Sequence, residues 1–162
     1  MRDGLDRLAR RLGGAWQARG VMIATAESCT GGLVAEAITR IAGCSAWFDR
    51  GFVTYSNAAK TSMLGVPQDL LVVHGAVSEP VVRAMVEGAL AASAARAAVA
   101  ITGIAGPGGG SEAKPVGTVW IAWGARGEPV QPRPFRLQGD RRAIRHAAAA
   151  TALQGMVDLV RG

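Results

Sequence analysis

Ser28 stands in the run Thr25-Ala26-Glu27-Ser28-Cys29-Thr30-Gly31-Gly32, between an apolar, strand-like segment and a glycine pair that can open a helix. A layered α/β enzyme keeps a nucleophile at such a junction. A serine hydroxyl attacks a carbonyl only when a base takes its proton and donors await the developing oxyanion. The backbone N–H groups of Cys29, Thr30, Gly31 and Gly32 would serve as donors, because they sit at a predicted helix start, where they lack intrahelical partners and the dipole favours negative charge. The same residues also fit a plain cap, with Ser28 or Thr30 accepting from the first turn, and the run alone does not choose between the two readings.

The base is constrained by composition. Of 18 basic residues only Lys60 and Lys114 are lysines, and arginine stays protonated. Lys60 falls four positions after Ser56, a predicted helix cap, where the positive helix end disfavours an ammonium. To act near neutrality, a lysine of pKa near 10.4 needs about 4 kcal/mol of differential interaction, whereas a helix end supplies about 0.3–1 kcal/mol, so burial or nearby positive charge must provide the rest. An exposed Lys60 on a short helix is the plain alternative. Tyr55, the sole tyrosine, precedes that helix and could pass a proton, or simply be a packed tyrosine with a satisfied hydroxyl. His74 and His146 are the only histidines, too few for a metal cluster, although His74 could replace Lys60 as base.

These residues need elements to hold them. Leu5, Leu8, Leu12 and Trp16 recur at helical spacing after a possible cap at Asp3, predicting a first helix that ends near Gly20. Residues 21–25 read as a buried strand and 31–41 as a helix, so Ser28 lies in the turn between them. A second strand is expected over 47–55, and a short helix from Ser56 to the stop at Gly65-Val66-Pro67. Ser78-Glu79-Pro80 opens a helix to about Ala95, and a strand follows over 97–102. Strands over 116–123 and 132–137 suggest a hairpin, and Asp140 caps a last helix reaching about Val160. Strands interleaved with helices predict an α/β domain over 1–162, a three-layer sandwich with a mixed central sheet.

Residues 103–115 hold five glycines and two prolines and are a loop. Backbone amides there could cradle a phosphate, or the loop could be a lid, but neither G-x-x-x-x-G-K-S/T nor G-x-G-x-x-G spacing is present. Arg141, beside Asp140, could bind a phosphate bidentately, with Arg142 and Arg145 as competitors.

The net charge of +6 is concentrated at the two ends, with five arginines against two aspartates in residues 1–20 and seven against three acids in 126–162. No aromatic residues are interleaved with these arginines and no recognition motif appears, so solvated helix faces are expected rather than a nucleic-acid partner. Neither a secretory signal nor a membrane span is visible, and the cytoplasm is the expected location. Cys29 and Cys44 lack metal or disulfide spacing and are expected to be free thiols.

Taken together, these blocks resemble the CinA C-terminal domain family, whose stand-alone members are nicotinamide-nucleotide amidohydrolases. The resemblance runs from about Thr25 to His146. It includes the Ser28 run, Gly51-Phe52-Val53-Thr54-Tyr55-Ser56-Asn57, Gly75-Ala76-Val77-Ser78-Glu79, Gly103-Ile104-Ala105-Gly106-Pro107, Lys114-Pro115-Val116-Gly117-Thr118-Val119 and Gly139-Asp140-Arg141. Similar proteins often carry acidic residues where Ala58 and Gly108 stand here. The resemblance implies a three-layer α/β/α fold, no metal or other cofactor, and hydrolysis of nicotinamide mononucleotide to nicotinate mononucleotide and ammonia. It implies Ser28 as nucleophile, Lys60 as base and Tyr55 as an assisting hydroxyl, with Thr102, Gly103 and Arg141 helping to hold the nucleotide. A homodimer or higher homo-oligomer is expected from the family. The alternative is a non-catalytic nucleotide-binding or competence-linked module.

Overall fold

The structure is a computed structural model that describes residues 2–161. Five strands form one mixed sheet in the order β2-β1-β3-β4-β5, with β1 at Ile23–Glu27, β2 at Phe48–Val53, β3 at Ala97–Gly103, β4 at Thr118–Ala125 and β5 at Gln131–Arg136. β2, β1 and β3 run parallel, and β4 and β5 continue antiparallel as the expected hairpin. Alternation along the strands sorts side chains between two cores. Ile23, Val99, Ile101, Ile121 and Trp123 face helices α1 (Arg2–Gln17), α2 (Leu33–Thr39) and α6 (Arg141–Arg161). Ala24, Ala26, Ala98, Ala100 and Ala122 face the other way, towards α3 (Asn57–Leu64), α4 (Gln68–His74) and α5 (Glu79–Ala91). The result is the three-layer α/β/α sandwich.

Several boundaries differ from the sequence expectation, each for a local reason. α1 already includes Asp3, so that residue does not precede the helix. β1 lies two residues later than predicted because its pairing with β2 and β3 runs through Glu27. α2 begins at Leu33 rather than Gly31, since Gly31 and Gly32 hold left-handed backbone at φ 61° and 101°. α5 stops at Ala91, and Ser78 does not cap it, donating its hydroxyl to the Gly75 carbonyl instead. α4 escaped the sequence reading, as its seven residues are too few to show a helical period. Ser56 and Asp140 do cap, accepting from the N–H groups of Ala59 and Ala143.

The parallel strands end together. Glu27 pairs with Val53 on one side and Ile101 on the other, so the chain leaves β1, β2 and β3 at one edge of the sheet. α2 returns over one face of the sheet and α3 to α5 over the other, which makes the gap between β1 and β3 the point where the winding reverses. Ligand clefts open there in α/β sheets. Ser28 is the first residue beyond β1.

Placing Lys60 in this gap depends on α3 lying close against α5. A Cβ on Gly88 of α5 would come 1.9 Å from the Leu64 carbonyl oxygen at the end of α3, whereas one on Gly14 of α1 meets nothing within 4 Å. Gly88→Ala is therefore expected to lose about 1–3 kcal/mol through overpacking, while Gly14→Ala gains up to about 1 kcal/mol from helix propensity. Urea unfolding midpoints moving in opposite directions would bear this out.

Candidate active site

Ser28 extends the β1 ladder, with its N–H donating to the Ile101 carbonyl at 3.0 Å, and then the chain turns sharply. The Gly31 N–H closes that turn on the Ser28 carbonyl at 3.0 Å, and the Leu33 N–H closes a second on Thr30 at 3.0 Å. Thr30 does not cap α2. Its hydroxyl donates to Glu27 Oε1 at 2.6 Å, and the cap is the Glu27 carboxylate, which accepts from the N–H groups of Val34 at 2.9 Å and Ala35 at 3.1 Å. The sequence reading missed this role. Its signal was an acidic residue near a helix start, hidden because Glu27 precedes the helix by six positions and reaches it only across the turn.

Lys60 lies on the inner side of α3 and is 1% exposed. Its Nζ is 3.1 Å from Ser28 Oγ and 3.1 Å from the Tyr55 carbonyl oxygen, while Ser28 Oγ is 3.4 Å from that same oxygen. The two catalytic candidates are thus in direct hydrogen-bond reach. Burial lowers the Lys60 pKa from its ordinary value of 10.5, because a desolvated ammonium is disfavoured. Removal from water, more than the helix end, supplies the perturbation. Burial acts oppositely on the neighbouring thiol, pushing Cys29 up to about 11, so it stays protonated and offers no competing nucleophile near neutrality.

Tyr55 reaches the pair through its backbone, not its phenol. The ring is 60% exposed, and Oη accepts from Arg141 Nη2 at 3.1 Å, while Arg141 Nη1 donates to the Gly106 carbonyl at 2.7 Å. Arg141 therefore ties the mouth of the site to the glycine loop. Ser28, Cys29, Tyr55, Lys60, Thr102, Gly103 and Arg141 all line one cavity of about 190 Å³, completed by Asn57, Ala76, Val77 and Ala105. Thr102 is buried and its hydroxyl donates to the Ala76 carbonyl at 2.9 Å, fixing the opposite wall. Gly103 is required by close approach, since a Cβ there would meet Val119 at 2.7 Å and Cys29 Sγ at 3.1 Å.

Thr30, Gly31 and Gly32 do not line this cavity, and the Gly31 N–H is already committed within the turn. His74 is exposed at the end of α4 and also lies outside it. Arg142 and Arg145 border a separate recess beside α1 and α2.

Lys60 has a lowered folded-state pKa, so below its ordinary value the unfolded chain holds a proton that the folded chain releases more readily. Stability then rises with pH from that lowered value towards about 10.5. The stability difference between the unmutated protein and Lys60→Met should accordingly shift in favour of the unmutated protein as pH rises towards 10.5. A difference in urea-unfolding free energy that stays flat over this range would show Lys60 to be an ordinary ammonium.

Residues 5–160 match the family described as the CinA C-terminal domain. The nicotinamide-nucleotide amidohydrolase PncC of Escherichia coli strain K12 is 60% identical over 151 residues, covering 93% of this chain and 91% of that protein. PncC of Pseudomonas putida is 55% identical over 157 residues, covering 97% and 98%. Of solved structures, the competence/damage inducible protein CihA from Agrobacterium tumefaciens superposes with a TM-score of 0.93 at 50% identity, covering 98% of this chain and 96% of that one. Matched in sequence and in fold over nearly its whole length, the chain belongs to the CinA C-terminal domain family.

Proposed function

We propose that this chain is a nicotinamide-nucleotide amidohydrolase that converts nicotinamide mononucleotide to nicotinate mononucleotide and ammonia, feeding pyridine nucleotide recycling, with Ser28 as nucleophile and Lys60 as base. The observation that carries the reading is the 3.1 Å approach of a buried Lys60 Nζ to Ser28 Oγ, in a chain 60% identical to a named amidohydrolase.

Neutral Lys60 accepts the Ser28 proton as Oγ attacks the carboxamide carbon, and the oxyanion is held by backbone N–H groups after Ser28. Protonated Lys60 then delivers that proton to the amide nitrogen, which departs as ammonia and leaves an acyl-serine. Water attacks the ester while Lys60 takes its proton, and the collapse returns that proton to Ser28 Oγ and releases the carboxylate. The Tyr55 carbonyl accepts from Lys60 Nζ and steadies the ammonium when it forms, and the Ser28 hydroxyl turns its one proton from that carbonyl to the neutral amine as attack begins. The pyridinium ring makes its carboxamide more electrophilic than an ordinary amide.

A cavity of about 190 Å³ suits a ring and its carboxamide rather than a whole nucleotide. The ribose phosphate then lies at the mouth, where Arg141 presents an exposed guanidinium beside Tyr55 Oη. Tyr55 Oη and Arg141 are accordingly assigned to substrate holding.

Ser28→Ala is expected to lower ammonia release from nicotinamide mononucleotide by at least about 10³-fold with unfolding behaviour retained. Activity of the unmutated protein should climb with pH along a limb that reports Lys60 deprotonation. Undetectable ammonia release by the unmutated protein would favour a non-catalytic nucleotide-binding module instead. A second comparison tests the phosphate: Arg141→Ala should raise KM for the nucleotide while leaving turnover of unphosphorylated nicotinamide riboside unchanged, and equal use of both substrates by the unmutated protein would remove the phosphate from the recognition scheme.

A further inference from the structure

We infer that Arg145 is a positioning residue for the Ser28 reaction, setting the turn that carries the oxyanion-binding Cys29 N–H from the side opposite the substrate. The inference rests on the serine and lysine roles proposed above. Arg145 projects from α6 to the turn after Ser28, where Nε donates to the Cys29 carbonyl at 3.1 Å and Nη2 donates to the Thr30 carbonyl at 3.0 Å. Two successive peptide oxygens of the nucleophile turn are thus held by one rigid, permanently charged fork.

The consequence follows from the planarity of the peptide bond. In a trans unit the N–H points opposite to the C=O, so an Arg145 that fixes the Cys29 oxygen on the α6 side directs the Thr30 N–H away from α6. The preceding unit is set in the same sense, because the Ser28 oxygen is bound by the Gly31 N–H within the turn. The turn therefore has the polarity of one turn of helix: carbonyl ends of Cys29 and Thr30 on Arg145, N–H ends of the same two residues at the Ser28 end. Of these two residues Cys29 lines the catalytic cavity and Thr30 does not, and among the described residues the Cys29 N–H has no backbone or side-chain acceptor although the residue is nearly buried. Buried backbone donors are almost always paired, so the Cys29 N–H left open next to a serine is what a reaction oxyanion would fill. The guanidinium polarises the two peptides whose carbonyls it holds, which carry the Thr30 and Gly31 N–H groups, and so strengthens the Gly31 N–H bond to the Ser28 carbonyl, whose peptide presents the Cys29 N–H.

The first-turn N–H groups of α2 do not compete for this role. Val34 and Ala35 are bound to Glu27, whose Oε1 also takes the Thr30 hydroxyl, so Thr30 is held from its side chain as well as from its carbonyl. Nor does Arg145 reach the substrate. It borders the recess shared with Glu36 and Arg40, and is not part of the catalytic cavity.

Steady-state ammonia release from nicotinamide mononucleotide by Arg145→Met, Arg145→Lys and the control Arg142→Met tests this. Arg145→Met should lower kcat by about 10²-fold with KM within about threefold and the acid limb of the pH profile unmoved. Arg145→Lys, which keeps the charge but not the two-pronged geometry, should retain part of the lost rate, and Arg142→Met should behave as the unmutated protein. A folded Arg145→Met with unchanged kcat overturns the inference. So does a loss carried by KM, which would make Arg145 a substrate binder, or a displaced pH limb, which would make it act through Lys60. Should Arg145→Met fail to fold, Arg145→Lys decides: a lowered kcat at constant KM supports the role and an unchanged kcat refutes it. Inactivity of the unmutated protein would instead refute the underlying serine reaction.

Discussion

Burial of one lysine nitrogen governs the architecture of the site. An ammonium taken out of water carries a desolvation cost that a serine hydroxyl and one peptide carbonyl cannot fully offset, so the neutral amine gains ground, as the proposed base role requires. Achieving that requires three separate elements to converge: α3 to carry Lys60 inward, the end of β1 to present Ser28, and the segment after β2 to turn its Tyr55 carbonyl onto both. No single element could supply the set, and the three-layer sandwich is what brings their ends to one point. The alanine-rich face of the sheet contributes by allowing α5 to approach closely, and α5 in turn supports α3 through the bare backbone of Gly88.

The fold was largely readable in the sequence because most elements carry strong local signals. Capping at Ser56 and Asp140, the glycine stop at Gly65 and the apolar periodicity of the strands are local features, and local features survive folding. Failures occurred where a tertiary partner overrides local preference. Ser78 looks like a cap, yet its hydroxyl is drawn to the Gly75 carbonyl, and Thr30 looks like one, yet it is drawn to Glu27. α4 carried too little chain to show a period.

The site was legible in part for the same reason. Ser28 and Lys60 could be singled out by residue type and scarcity, but the depth of Lys60 could not, since the short α3 has no strong amphipathic pattern to say which face is inward. The reading of Tyr55 concentrated on its phenol, because side chains are what a sequence displays. Its backbone carbonyl is the atom that meets Ser28 and Lys60, and the phenol meets Arg141. The cap made by Glu27 and the hold of Arg145 on the Ser28 turn escaped because their partners are chiefly backbone groups, and backbone groups have no sequence signature.

Charge is divided around the Ser28 turn in a way that explains why a buried carboxylate is tolerated one residue from the proposed nucleophile. A carboxylate at that position, left free, would oppose the oxyanion of a carbonyl addition. Here its oxygens are engaged by the first-turn amides of α2 and the Thr30 hydroxyl, so its negative charge is set against the positive end of a helix. The helix end is thereby used to stabilise the loop rather than the reaction. In the proposed reaction the donors come from the turn itself, whose carbonyl ends rest on the cation of Arg145. Anion on the helix, cation on the carbonyls and a lysine whose ammonium is disfavoured at the hydroxyl form a consistent arrangement. Each charge that the turn does not need in the proposed addition is already matched, and the Cys29 N–H beside Ser28 is left for the oxygen that would become charged.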